Sequence, residues 1–413
     1  MSNNPLGPVR KTRRFAPVVL SFAGMVLAGT AMATMPGKSA QPPVPGLTRA
    51  PAVRNSQDFH VETIARGLDH PWGLQFLSGG RLLVTERAGR MRIVSPDGML
   101  SQPIAGIPKV RAGGQGGLFD VALDPHFARS RVIYFSYFEP RQNGDGLTVA
   151  RARLMSDGGA PQLADMQVIF RAEPTPRGSL NIGGRLLFLQ DGTLLISVGD
   201  RFGERDQAQD LSSDLGKTVR INSDGSIPRD NPFVQHAGAR PEIYTLGNRN
   251  AEGLAINPMT GEIWEQEHGA QGGDELNILK PGHNYGWPVI TYGVDYSGTR
   301  IGLGTQKPGM DQPVYYWDPS IAPSGMAFYT GGAFPKWKGS LFNGALKYQR
   351  LIRLSLDGHK VVGEEELLGD LGQRIRDVRE SPDGLIYVLT DEADGQILRL
   401  APSNNSRTPV ARR

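Results

Sequence analysis

Six times along the chain a short apolar run enters a turn, glycine-containing in five of the six, and a second apolar run leaves it. The stretches are Trp72 to Glu86, Gly116 to Phe138, Gly183 to Asp200, Glu252 to Gly269, Ser324 to Leu346 and Arg376 to Leu400. Their turns carry Gly79-Gly80, Asp191-Gly192, Thr260-Gly261, Gly331-Gly332 or Asp383-Gly384. Apolar runs bounded by such dipeptides read as β-hairpins. Helical periodicity is hard to find, and the 53 glycines and 31 prolines push the balance further towards strands and turns. The hairpins recur every forty to seventy residues or so. That period predicts an all-β fold, a six-bladed β-propeller of four-stranded antiparallel sheets, one hairpin per blade, over 56–402. A pair of β-sandwiches is the competing architecture. In a propeller, ligands sit at the mouth of the central channel, so site residues should come from several blades at matched strand ends.

The ends of the chain read differently. Arg10, Lys11, Arg13 and Arg14 precede an apolar run from Phe15 to about Met32, and Ala31-Met32-Ala33 fits a small-x-small cleavage site. Residues 1–33 are expected to be a cleaved signal peptide, which places the mature protein in the periplasm or outside the cell. The run is short for a membrane anchor and holds Ser21, Gly24 and Gly29, so no stable membrane insertion is expected after cleavage. Arg13-Arg14 leaves both the general and the twin-arginine export routes open. Residues 34–55 read as a flexible linker and 403–413 as a disordered tail. With no cysteine in 413 residues, disulfides, thiolate metal sites and lipid anchoring through cysteine are excluded. The net charge of +4, without a basic stripe, argues against nucleic acid as a partner.

Candidate chemistry lies where polar residues interrupt the hairpin pattern. Gln115 stands between glycine pairs, and Asn181 stands just before Gly183-Gly184. Arg249, Asn250 and Glu252 precede an apolar strand, Lys347 follows one, and Arg374 and Arg376 sit two apart on one face of an extended segment. Each has an ordinary reading as a turn or a solvated face. Together at one channel mouth, the cations would make a pocket for a small polyanion, with arginine forks matched to carboxylates. Unpaired cations clustered there would be costly unless an anion filled the pocket. Asp274, Glu275 and the backbone oxygens of the glycine-rich loop around Gly269 are hard donors, suited to Ca²⁺ rather than zinc or copper.

These residues lie within seven motifs: GGQGGLFDVALDPHF, GGRLLF…DGTLLISVGDR, LGNRNAEGLA, GGDELN…GHNYGWP, PSIAPSGMAFY, LKYQRL and RIRDVRESPDG. In that order, over about Phe59 to Leu400, they resemble the soluble quinoprotein glucose/aldose sugar dehydrogenases. Those proteins are six-bladed propellers using pyrroloquinoline quinone (PQQ) and calcium. The resemblance implies that Lys347, Arg374 and Arg376 hold the PQQ tricarboxylate. It implies that Gln115 and Asn250 touch PQQ, that Arg249 lies beside its quinone carbonyl, and that the backbone oxygens of Gly269 and Ala270 hold a catalytic Ca²⁺. Glu275 and Tyr285 match a second Ca²⁺ site. The implied reaction oxidises the anomeric C1 of an aldose to a lactone by hydride transfer to PQQ, with electrons passed to an unidentified acceptor.

The chain departs from the family pattern at three places. Ala270 replaces a proline, which a backbone ligand tolerates. Glu252 stands where the family usually has glutamine; it could bind Ca²⁺, repel PQQ or act as a base. Asn181 occupies the position of the family's catalytic histidine, and an amide cannot serve as a general base. His268 is the nearest histidine by sequence and reads as a supporting residue. Two readings of the resemblance follow, a working dehydrogenase and a catalytically weakened or inactive binder of PQQ or sugar. A calcium-dependent lactonase is a third, which would have no use for Arg374 and Arg376.

Overall fold

The computed structural model describes residues 50–54, 56–156 and 159–403. The expected signal peptide, most of the expected linker and nearly all of the expected tail lie outside them. Six small sheets are arranged as a six-bladed β-propeller, and the one α-helix among the described residues is the single turn Phe127–Ser130. The innermost strands are Pro71–Phe76, Leu118–Leu123, Gly183–Phe188, Ala251–Ile256, Pro323–Phe328 and Ile375–Glu380, in blades 1 to 6. Each touches the next, and the last touches the first, so the ring is closed. Each of the six hairpins read from the sequence supplies the two inner strands of one blade. No helix among the described residues is long and apolar enough to cross a membrane.

Blade size departs from the expectation. Four sheets are four-stranded, blade 1 has three strands and blade 5 has five. The fifth is Ala52–Val53, paired in parallel with the outer strand Lys360–Leu367. The last residues of the expected linker are therefore tied to a blade, and Ser56 continues the attachment by donating its backbone N–H to Glu365 at 2.9 Å. The ring is closed by Phe59–Leu68, which pairs with Gly395–Pro402 in blade 6, from Phe59 opposite Pro402 to Leu68 opposite Gly395.

The core is layered between blades. Leu83 and Met91 of blade 1 meet Ile133 and Phe135 of blade 2, and Val149 and Phe170 of blade 2 meet Leu194 and Ile196 of blade 3. Inner strands are covered on both faces and therefore read as continuous apolar runs, as in the fully buried Leu194–Val198. The outer strand Lys360–Leu367 alternates exposed and buried, the period of a strand with one wet face.

One irregularity recurs in all six blades. The innermost strand slips register against its neighbour within its first few residues, between Pro71 and Leu74, Leu118 and Val121, Gly183 and Leu186, Ala251 and Gly253, Pro323 and Met326, and Ile375 and Asp377. A bulge bends the strand and re-aims its side chains. Close approach accompanies it: a Cβ on Gly325 would lie 2.8 Å from the Asp377 Cα of the next blade. Side chains from these positions plug the channel. Arg185 Nη1 lies 3.1 Å from Asp377 and 3.3 Å from Asp120, and Arg379 reaches the same two carboxylates at 2.8 and 3.0 Å.

Candidate active site

In an antiparallel blade the first strand begins where the second ends. Residues just before the first strands and just after the second strands therefore share one rim of the channel. On that rim the fold brings together Gln115, Asn181, Arg249, Asn250 and Arg374 from the first set, and His268 and Lys347 from the second. Glu252 and Arg376 lie one turn of the bulge deeper. Backbone bonds hold this rim: Asp200 N–H donates to Arg249 O at 2.8 Å from blade 3 to blade 4, while within blades 5 and 6 Lys347 N–H donates to Ile321 O at 3.0 Å and Asp391 N–H to Arg374 O at 2.8 Å.

Asn181 is buried and left-handed, with φ +48°. Asparagine tolerates that region better than most residues. The glycine two positions on is needed, because a Cβ on Gly183 would lie 2.5 Å from Ser197 O. Asn181 N–H donates to Gln115 Oε1 at 2.6 Å, and its Nδ2 donates to Asp200 Oδ1 at 2.8 Å. The carboxylate can only accept here, which fixes the amide with its oxygen directed away from Asp200. Asp200 also accepts from Phe202 N–H at 2.7 Å and from Trp287 Nε1 at 2.8 Å. Burial raises the Asp200 carboxyl above its ordinary value, against the opposing pull of Arg249 and these donors. Arg249 lies over the Trp287 ring at 5.2 Å and donates Nη1 to His268 O at 3.2 Å; its Nε is buried without a partner.

Asp200, Trp287 and Asp391 were not reached from the sequence. The first and last were within reach of the same rule that found Lys347, since both come within two residues of the end of a second strand. Trp287 had no such signal; it arrives from the loop after Asp274–Leu279.

Glu252 does not act as a free base. Its side chain crosses the channel to form an ion pair with Arg376, and Asn250 Nδ2 donates to it at 3.3 Å. Burial works to raise the Glu252 carboxyl, but Arg376, His268 and Arg185 together hold it below the usual carboxylate range. Arg376 is gripped on its other side by Asp391 at 2.7 Å. Asp391 also bonds His70 Nδ1 at 2.8 Å and lies 3.5 Å from Arg374 and 4.0 Å from Arg87. The expectation of a wholly unpaired cation set is thus corrected: Arg376 is neutralised by the protein itself. Lys347 is exposed and, among the described residues, pairs with no carboxylate; Arg374 keeps 42% of its side chain exposed. Asn250 is similarly committed, its Oδ1 accepting Gly183 N–H at 2.9 Å. His268 Nε2 donates to Pro323 O at 2.5 Å and lies 3.8 Å from Glu252, a bracing position.

Of the expected metal residues, Gly269, Glu275 and Tyr285 line one recess, bordered also by Arg249, Glu267 and Trp287, while Ala270 does not line it. Asp274 is not free to ligate. It accepts Gly269 N–H at 2.7 Å on one oxygen, and Ser320 Oγ and the Ile321 and Ala322 N–H groups at 2.7 to 2.9 Å on the other. The Tyr285 hydroxyl is also spent, accepting from Lys280 N–H at 2.8 Å and donating to Ile278 O at 2.7 Å, which leaves its backbone oxygen as the possible donor. Burial raises Glu265 to about 7, and burial with repulsion from neighbouring carboxylates raises Glu275 to about 8 and pushes Glu267 well above the usual range. A cation in the recess would relieve that repulsion. Among the described residues no group of three or more His, Cys, Asp or Glu side chains is arranged to hold a metal, so backbone oxygens would have to complete a site.

Comparison with known proteins adds identity to this geometry. The chain is 46% identical over 362 residues to the Aldose sugar dehydrogenase YliI of Escherichia coli (strain K12), covering 87% of this chain and 95% of that one. The crystal structure of the soluble aldose sugar dehydrogenase of Escherichia coli in its apo-form superposes with a TM-score of 0.81 at 45% identity, over 84% of this chain and 100% of that one. The PQQ-bound aldose sugar dehydrogenase of Streptomyces coelicolor superposes with a TM-score of 0.68 at 29% identity, over 86% of this chain and 99% of that one. The family model described as Glucose / Sorbosone dehydrogenase matches residues 68–399, from the closing strand of blade 6 through all six blades, and the chain belongs to that family.

Proposed function

We propose that this protein is an exported aldose dehydrogenase that uses PQQ and calcium and turns over slowly because position 181 cannot take a proton. The observation that carries the reading is the Asn181–Asp200 pair set among cations with uncommitted donors. Lys347, Arg374 and the orphaned Nε of Arg249 fit an anionic group at the mouth. Arg376 fits it less well, because Glu252 and Asp391 already occupy it. The Gly269 to Tyr285 recess, with its strained glutamates, suits a hard cation held by Glu275 and by the backbone oxygens of Gly269, Ala270 and Tyr285.

When bound, PQQ would supply the hydride acceptor and calcium the Lewis acid that polarises it. The protein's own residues do the rest. Asn181 offers its amide oxygen to a sugar hydroxyl and orients it, with Asp200 holding the side-chain amide and Gln115 the Asn181 backbone N–H. Arg249, pinned over Trp287, supplies positive charge where negative charge develops. Neither Asn181 nor Glu252 can accept the hydroxyl proton, and Asp200 is fully buried behind Asn181. General-base help is worth roughly 10²–10⁴-fold, so its absence slows the reaction without removing the hydride path. Export to the periplasm or beyond follows from the first 33 residues, and the acceptor of the electrons is unassigned.

The test is reconstitution of the chain from about Thr34 with PQQ and Ca²⁺, followed by a dye-linked assay over a panel of aldoses. A cofactor absorbance band that bleaches slowly with sugar is the expected result. Absence of any band would defeat the reading. A band that never bleaches would favour the non-catalytic binder.

A further inference from the structure

The mouth carries one feature that the proposed chemistry leaves unused. Phe202 follows Asp200 by two residues and donates its N–H to that carboxylate at 2.7 Å. Arg201 and Phe202 are consecutive left-handed residues, with φ +58° and +62°, and together they turn the chain outward from the strand end. The Phe202 side chain is left 46% exposed. Tyr296, 60% exposed, reaches it from the loop between the third and fourth strands of blade 4; the ring centroids are 6.0 Å apart and the planes inclined by 33°. An Arg205–Asp295 ion pair at 3.3 Å ties the two loops together beside the rings. Asp295 is itself fixed by Ser297 N–H at 3.0 Å and Ser297 Oγ at 2.9 Å.

The same blade 4 loop places Ile290 and Thr291 against the recess beside Arg249 and Trp287. Its Val294 bridges to Gln271, next to Ala270. The aromatic pair therefore stands at the edge of the site. Packing alone would not hold a phenylalanine in water by means of two unfavourable backbone conformations, and such conformations cluster where a ligand is engaged.

We propose that Phe202 and Tyr296 form a sugar subsite that takes the second ring of an oligosaccharide whose reducing-end aldose lies at Asn181. A pyranose ring has an apolar C–H face that stacks on an aromatic ring and a rim of hydroxyls. The Tyr296 hydroxyl, Arg205 and Asp295 stand beside the rings to meet that rim. The assignment of the reacting ring rests on the dehydrogenase reading; the binding of the second ring does not.

The experiment titrates the full mature chain, without cofactor, with glucose, maltotriose and cellotriose by calorimetry, beside Phe202→Ala and Tyr296→Ala. In the native protein at least one trisaccharide should bind more tightly than glucose, by about two- to tenfold for each stacked ring. Each substitution should bring that affinity down towards the glucose value and leave glucose binding and the thermal midpoint unchanged. In the loaded enzyme the same substitutions should raise KM for the trisaccharide and leave kcat alone. Equal binding of glucose and both trisaccharides, or a preference that survives both substitutions, overturns the subsite. So does concentration-dependent self-association abolished by the substitutions, which would make the pair a contact between copies. If the trisaccharide binds through the pair but no aldose is oxidised, the dehydrogenase reading fails and the subsite stands; oxidation of glucose with no trisaccharide preference is the reverse.

Discussion

Two residues decide how the proposed site would work. On the proposed reading Asn181 stands where a base would work but cannot take a proton, and its side-chain amide is fixed by donation to Asp200. Glu252 inserts a carboxylate where the cofactor's own carboxylates would compete for Arg376. Glu252→Gln should therefore have opposite effects on stability and binding. Without cofactor, the lost charge pairing should lower stability by about 1–3 kcal/mol, less than a full buried-pair deletion because the amide can still bond Arg376. With Arg376 released, PQQ should bind roughly tenfold or more tightly, the scale of one charge-assisted hydrogen bond. Fluorescence titration with PQQ at saturating calcium measures the second effect, and unchanged or weaker binding would show that Glu252 is not a competitor.

At the scale of the element, strand ends explain what could be read from the sequence. Hairpins were legible because inner strands are buried on both faces and their glycine turns stand out. The rim residues before first strands, such as Gln115 and Asn250, stood out because glycines flank them. Asp391 did not, because an aspartate after a strand looks like any turn residue until the fold brings Arg376, His70, Arg374 and Arg87 around it. Burial works to raise the Asp391 carboxyl, but its pairing with Arg376 and the His70 bond hold it far below the usual range. A depressed folded-state value means that its stabilisation is complete above the unfolded value, near 3.9, and is lost as pH falls through the folded one. Asp391→Asn should flatten the dependence of stability on pH below about 4 and leave its shape above pH 5 unchanged, as followed by urea unfolding across that range. The strand pairing of Ala52–Val53 was hidden for a different reason: two residues in a proline- and alanine-rich stretch carry no period.

At the scale of the molecule, the propeller is held by apolar layers between blades and by one charged plug on its axis. Arg185 touches five blades, through Trp72, Asp120, the Glu252 carbonyl, Asp377 and its own strand. Arg185→Met removes one charge from a buried quartet and leaves Asp120 and Asp377 short of a partner. Stability should fall by about 3–5 kcal/mol with an unchanged denaturant slope, because the ring still unfolds as a unit. A loss below about 0.5 kcal/mol would mean that the plug is filled by water at little cost.

The central claim is that position 181 limits an otherwise assembled site. It is tested most directly by measuring kcat and its pH dependence for the PQQ- and calcium-loaded native protein beside Asn181→His. Asp200 already waits as the acceptor that would orient the imidazole, and histidine tolerates the left-handed backbone. The account predicts that Asn181→His raises kcat by roughly 10²–10⁴-fold and adds an acid limb to the pH profile, near the ordinary histidine range. Equal rates and superimposable pH profiles in the two proteins would contradict it, and would mean that the proton leaves by another route.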